Sequence, residues 1–96
     1  MKTIPLPAGL SYMRLNVPLG GLNLQLRLRW STQYGFYSVE IRDERGEPII
    51  LGRGLHPGTD LLTDLRLDAG RLILEGEVPT VQNLGLTNKL NWYPDE

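Results

Sequence analysis

The chain has 96 residues, a formal net charge of −1 and no cysteine. This length allows one domain over residues 1–96 with a modest core. The charge balance excludes a global field that would attract nucleic acid or an anionic membrane, and the lack of cysteine excludes disulfides and thiolate zinc sites. No apolar stretch is long enough to span a bilayer, and the start lacks the apolar run of a signal peptide. We expect a soluble protein made without a secretion signal, with no membrane partner and no sequence-specific contact with nucleic acid.

The first part of the chain reads as strands separated by turns. Residues 4–6 are a candidate edge strand, because the neighbouring prolines cannot donate to a ladder. Residues 12–17 alternate apolar and polar side chains, and Gly20-Gly21 then turns the chain into residues 22–30. In this long strand every second residue is apolar, which is typical of a strand with one face on a core. The side chains predicted to pack inward are Leu24, Leu26, Leu28 and Trp30.

A second hairpin is predicted over residues 36–51. Residues 36–42 alternate in the same way as the long strand. The sequence Asp43-Glu44-Arg45-Gly46 has the Asp-first, Gly-last signature of a type I turn. It should return the chain into a strand over residues 47–51.

One short helix is predicted near residues 59–66. Thr59 or Asp60 can cap a first turn, and leucines at helical spacing follow. Residues 72–78 and 86–93 then complete the chain as strands. Short elements at close spacing, punctuated by glycine and proline, predict an all-β fold: a small antiparallel β-sandwich or barrel of about six to seven short strands with that one helix.

No residue pattern typical of an enzyme occurs. His56 is the only histidine, so a catalytic triad or zinc site would need unusual partners. Glu75 and Glu77 lie on one face of a predicted strand, where the simplest interpretation is solvation. An enzyme with an acidic site would need one of them to have a raised pKa. We therefore predict no catalytic, cofactor-binding or metal-binding residues.

Four side chains are candidates for an interface. Arg27 and Arg29 lie on the polar face of the long strand. They can contact phosphates, or they can pair across the hairpin with acidic residues such as Glu40. Trp92 and Tyr93 are adjacent on the last strand, so their rings should point to opposite faces. One ring would anchor the domain's own core, and the other would face a partner.

Several short signatures occur in order along nearly the whole chain. They are Ile4-Pro5-Leu6, Leu28-Arg29-Trp30, Asp43-Glu44-Arg45-Gly46-Glu47-Pro48-Ile49, Leu51-Gly52, Pro57-Gly58 with Leu61-Leu62, Gly70-Arg71-Leu72, Pro79-Thr80 with Asn83-Leu84-Gly85, and Leu90 with Tyr93. Together they resemble the small baseplate plug proteins of contractile-tailed bacteriophages, the family typified by the cyanophage baseplate plug.

The resemblance implies a structural protein of the virion, without catalytic residues or a cofactor. Such a plug is expected at the central hub of the tail baseplate, where it closes the lumen until DNA is ejected. The resemblance also implies a homotrimer on the tail axis, hub, spike or tail-tube proteins as partners, and synthesis in the cytoplasm of the bacterial host. The alternative function is a β-sheet module that binds a peptide or protein by strand addition at a sheet edge.

Overall fold

The computed structural model describes residues 1–62 and 70–94, and these ranges contain seven β-strands. The strands are β1 (Lys2–Ile4), β2 (Tyr12–Leu19), β3 (Leu22–Ser31), β4 (Phe36–Arg42), β5 (Pro48–Gly54), β6 (Arg71–Gly76) and β7 (Asn88–Tyr93). They form two antiparallel sheets, a four-stranded sheet in the order β2-β3-β4-β5 and a three-stranded sheet in the order β1-β7-β6. The all-β prediction is confirmed.

No helix is seen in residues 59–62, the part of the predicted helix that lies within the described residues. Asp60 forms an isolated antiparallel bridge with Ile73 of β6. Its carboxylate accepts hydrogen bonds from the backbone N–H groups of Leu62 and Leu72, both at 2.9 Å. The acidic side chain therefore holds residues 59–62 against the edge of β6. The remaining part of the predicted helix, residues 63–66, lies outside the described residues.

The register of β3 is the predicted one. Leu24, Leu26 and Leu28 are each at most 2% exposed. Trp30 is partly buried, packs against the core and meets the ring of Tyr37 edge-on at a centroid distance of 5.1 Å. The polar residues of β3 consequently all lie on the outer face of the four-stranded sheet.

A two-residue loop joins β2 to β3. Gly20 and Gly21 have φ angles of 59° and 95°. Two successive positive φ values define a type I′ turn, whose twist matches that of the strands it connects. This turn sets Leu19 opposite Leu22 and so fixes the pairing of every residue farther along the hairpin.

The turn predicted at residues 43–46 is confirmed. The N–H of Gly46 donates to the carbonyl of Asp43 at 3.0 Å. The Asp43 side chain also accepts from the backbone N–H groups of Arg45 and Glu47. The strand that follows runs to Gly54, beyond the predicted end at residue 51, because two register shifts keep it paired with β4.

The first and last strands are displaced from their predicted bounds for local reasons. β1 ends at Ile4 because the nitrogen of Pro5 has no hydrogen to donate. β7 begins at Asn88, because the residues before it form a turn in which the N–H of Thr87 donates to the carbonyl of Asn83. β7 is the central strand of its sheet and pairs with both β1 and β6.

Both sheets contribute their inward side chains to one hydrophobic cluster. Its fully buried members include Leu26 and Ile41 from the four-stranded sheet and Leu72, Leu74 and Leu90 from the three-stranded sheet. Burial of a leucine side chain is worth about 1.5–3 kcal/mol. This shared core holds the two sheets together and leaves their outer faces to the surroundings.

Candidate interaction surfaces

The outer face of the four-stranded sheet carries a concentration of arginine. Strands β2 to β5 contain five arginines and a single carboxylate, Glu40. Strand pairing places Arg14 opposite Arg27, and Arg27 opposite Glu40. Neighbouring rows hold Tyr12 opposite Arg29, and Gln25 opposite Arg42. We refer to the side chains of Tyr12, Arg14, Arg27, Arg29, Glu40 and Arg42 as the arginine face.

Glu40 is shared by two arginines of this face. Arg42 donates to it from Nε at 2.9 Å, and Arg27 Nη1 lies 3.3 Å from its carboxylate. The hydrogen bond from Arg42 is the main reason that the pKa of Glu40 lies below its ordinary value. The cross-strand pairing predicted for Arg27 is confirmed.

Arg29 makes a different contact. Its guanidinium lies over the ring of Tyr12, 5.3 Å from the ring centroid, in a cation–π arrangement. Both residues are exposed, and they face each other across the β2–β3 pairing. The contact orients the Arg29 charge without neutralising it.

Two adjoining hollows flank Arg27 on the sheet surface. One, of about 160 Å³, is lined by Tyr12, Arg29 and Glu40 among others. The other, of about 300 Å³, is lined by Arg14 and its neighbours. Arg27 lines both, and its Nε is buried without a hydrogen-bond partner. The contact with Glu40 is made by Nη1, which leaves the other terminal nitrogen, Nη2, for a second partner.

Trp92 and Tyr93 lie on opposite faces of the three-stranded sheet, as predicted. Trp92 is partly buried and packs against the core. Its indole also lies beside the β2–β3 turn, where a Cβ on Gly20 would be 3.5 Å from Trp92 Cζ2. Tyr93 lies on the outer face, with the guanidinium of Arg71 5.5 Å from its ring centroid. Trp92 thus joins the two sheets, and Tyr93 is available to the surroundings.

Glu75 belongs to a hydrogen-bonded network on that outer face. Its carboxylate accepts hydrogen bonds from the Tyr93 hydroxyl and from Asn91 Nδ2, the latter at 3.0 Å. Thr3 donates in turn to Asn91 Oδ1 at 2.7 Å. These donors, the tyrosine first, lower the pKa of Glu75. An acid catalyst needs the opposite shift, so Glu75 fits a structural role that links β1, β7 and β6.

The comparison with protein families decides the class of the chain. The family described as cyanophage baseplate Pam3 plug gp18 matches residues 1–95. The chain belongs to this plug family. No curated protein matches the chain. Membership in the plug family indicates a structural role in a phage baseplate, a place in the virion tail and association with other baseplate components.

Within residues 1–62 and 70–94, no group of three His, Cys, Asp or Glu side chains is placed to hold a metal ion. No helix in the same ranges is long and apolar enough to cross a membrane.

Two buried polar residues escaped the sequence analysis. Asn88 is 1% exposed and donates to the carbonyl of Glu77, while its Oδ1 accepts from the N–H of Gly85. Asn91 is 8% exposed; its Nδ2 donates to the Glu75 carboxylate, and its Oδ1 accepts from the Thr3 hydroxyl. An asparagine in a strand predicts nothing about these partners, because they depend on how the loops fold back. Arg14 and Arg42 were not predicted as interface residues, although the alternation places both on the polar faces of their strands.

Proposed function

We propose that the protein is a plug that closes the lumen of a contractile phage tail at the central hub until DNA is ejected. The observation that carries this proposal is the family match over residues 1–95. An all-β fold with a shared core and two outer faces supports it, because such a body offers contact surfaces without needing a chemical site.

The proposed assembly is a homotrimer on the tail axis, in contact with hub, spike or tail-tube proteins. A ring of three copies has heterologous contacts that close on themselves. The contacts must also be reversible, and a chain without cysteine forms no covalent cross-links through disulfides. Arg27, Arg29, Trp92 and Tyr93 are the proposed interface residues, with Trp92 acting through its support of the fold. We propose synthesis in the host cytoplasm as a single domain over residues 1–96, followed by incorporation into the baseplate.

We propose that the protein has no enzymatic activity. The strongest acidic candidate, Glu75, has a lowered pKa and is engaged by Tyr93 and Asn91. The hydrogen-bonded network explains the position of Glu75 without a catalytic role.

The test is the phage without this protein. Particles assembled without it should lose DNA to nuclease on standing, and complementation with the parent chain should restore protection. A reconstruction of complemented particles should show three copies on the axis. Particles that lack the protein yet retain their DNA would contradict lumen closure, and six copies or copies off the axis would contradict the trimer.

The alternative is a module that binds by strand addition. β2 has eight residues, is paired on one side by β3, and lies at the edge of its sheet. An edge of this kind can accept a further strand through its free backbone groups. This alternative predicts that replacing Asn16 with proline abolishes partner binding, since the partner would pair with β2. Under the plug proposal, binding depends on side chains of the outer faces and survives this change.

A further inference from the structure

The arginine face is a local excess of positive charge on a protein whose net charge is −1. The face has four guanidinium groups and one carboxylate, Glu40, which pairs with Arg27 and Arg42 only. Arg14 has no carboxylate within ion-pair distance among the described residues, and neither does Arg29. Further acids lie at the Arg42 end of the face: Asp43 follows Arg42 in the chain, and Glu44 lines a separate hollow with Asn16 and Gln25. The face is thus under-neutralised at the end where Tyr12 lies.

Arg14 and Arg27 lie directly opposite each other on the paired strands β2 and β3. Like charges directly opposite each other on paired strands destabilise a sheet. The fold does not require this arrangement, since any polar residue satisfies an outer position of a strand. A counter-charge from outside the chain would turn this repulsion into attraction to a shared partner.

The geometry around Arg27 fits a carboxylate better than a cation or an apolar group. Arg27 separates two hollows, with Arg29 bordering one and Arg14 the other. A carboxylate in each hollow would lie within reach of two guanidinium groups. Arginine forks bind carboxylates with two parallel hydrogen bonds, which gives direction as well as charge.

Protein carboxylates fit this face better than nucleic-acid phosphates. Sheets that bind single strands offer free aromatic rings on which bases stack. Here the ring of Tyr12 is covered by the guanidinium of Arg29. The chain also has no net positive charge to draw a polyanion over a longer distance.

We propose that the arginine face binds a segment of a neighbouring baseplate protein that carries closely spaced aspartate or glutamate side chains. The two hollows beside Arg27 would receive successive carboxylates, with Arg14 and Arg29 as the outer contacts. The inference rests on the place of the family in the baseplate and does not depend on lumen closure.

The test measures binding of a fluorescent hexaglutamate peptide to the purified full chain by anisotropy at low salt. The probe's controls are a hexaglutamine peptide and a thymidine hexanucleotide. The face variant is Arg14→Gln/Arg29→Gln, which leaves the Arg27–Glu40–Arg42 ion pairs intact. The matched control is Lys2→Gln/Arg45→Gln, which removes the same charge from two exposed sites outside the face.

We expect saturable binding of hexaglutamate by the parent, weakened at least about tenfold in the face variant and by less than about twofold in the control. The face variant removes both the Arg14–Arg27 repulsion and the Arg29–Tyr12 contact, so its melting temperature should stay close to the parent's. Weaker binding by a variant that melts like the parent would not reflect unfolding. Arg27→Gln should weaken binding as well, which tests the central residue separately.

Three results would overturn the proposal. They are no saturable binding of hexaglutamate by the parent, equal losses in the face and control variants, and tighter binding of the hexanucleotide that the face variant abolishes. The last result would reassign the face to phosphates. Lumen closure is read independently by nuclease protection of particle DNA, so either proposal can fail while the other stands.

Discussion

Arg14 and Arg27 lie directly opposite each other on the paired strands β2 and β3. Arg27 also has a carboxylate partner across its other side in Glu40, at 3.3 Å, while Arg14 has none among the described residues. The repulsion between the two arginines is therefore uncompensated at Arg14, on the edge strand β2. Arg14 is the residue whose replacement tests this repulsion.

Arg14→Gln should raise the free energy of unfolding of the isolated chain. Removing a like-charge pair on facing strands is worth about 0.2–1 kcal/mol. Chemical denaturation at low salt should show a later midpoint with an unchanged slope, and the gain should shrink in high salt because mobile ions screen the repulsion. Arg45→Gln, in the exposed β4–β5 turn, is the matched control and should change the midpoint little. A destabilised Arg14→Gln would mean that the arginine stem packs on the sheet.

Leu26→Asp should destabilise the fold by roughly 3 kcal/mol or more, because it places an unpaired charge at a fully buried position. Loss of the cooperative thermal transition by circular dichroism would show this. Asn23→Asp, at an exposed position of the same strand, introduces the same charge and should melt close to the parent. Equal melting of the two variants would refute the register of β3.

Tyr93→Phe should reduce the loss of stability in acid. In the folded state the Tyr93 hydroxyl and Asn91 lower the pKa of Glu75 below its ordinary value of 4.5. A carboxyl group with a lowered pKa stabilises the fold above its unfolded pKa, and this contribution is lost as the pH falls through its folded pKa. The difference in unfolding free energy between parent and variant should therefore be larger at neutral pH than below the folded pKa.

The hydrogen bond between Tyr93 and Glu75 should also affect the stability of the fold at alkaline pH. Glu75 raises the pKa of Tyr93 above its ordinary value of 10.0. The stabilisation is therefore complete below that value and is lost as the pH rises through the folded pKa. Tyr34→Phe, at an exposed ring, is the control for both arms. A parent–variant difference that does not change with pH would show that the hydrogen bond contributes no linkage.

Trp92→Ala and Tyr93→Ala should separate stability from assembly. Trp92 packs against the core and beside Gly20, so its truncation should cost about 2–3 kcal/mol, less than the roughly 3–5 kcal/mol of a fully buried ring. Tyr93→Ala should leave a folded chain that is incorporated less into tails. Circular dichroism melts and the protein content of purified particles report the two effects. If both variants melt and incorporate like the parent, the C-terminal strand is not an anchor.

The sequence predicted the elements whose side chains alternate regularly. The leucines of β3 gave both the strand and its inward face, because a shift of one residue would have placed every leucine in water. The turn at Asp43 was predictable because its side chain bonds only to residues close in the chain. Interactions within a few residues are readable from a single sequence for this reason.

Interactions between residues far apart in the chain could not be predicted from the sequence. Thr59 and Asp60 have the composition of a helix start, but the Asp60 carboxylate accepts from Leu72, twelve residues away. The interface candidates were found from side-chain type, which selected Arg27 and Arg29. Their neighbours Arg14 and Arg42 emerged only when strand pairing put four arginines on one face. Which of Trp92 and Tyr93 faces inward also depends on which face of the three-stranded sheet packs on the shared core, and the two adjacent aromatic residues do not specify this.

The pairing of β1 with β7 places Lys2 opposite Trp92 and Ile4 opposite Leu90. The start of β1 and the end of β7 therefore lie at the same end of this antiparallel strand pair. A tension that draws the two ends apart loads the three residue pairs of β1 one after another, as in opening a zipper, instead of all together. Opening this strand pair breaks no backbone pairing of the four-stranded sheet, because β2 to β5 pair only with one another. The pairing thus makes the contact between the first and last strands mechanically weak, while its opening leaves the four strands of the other sheet paired.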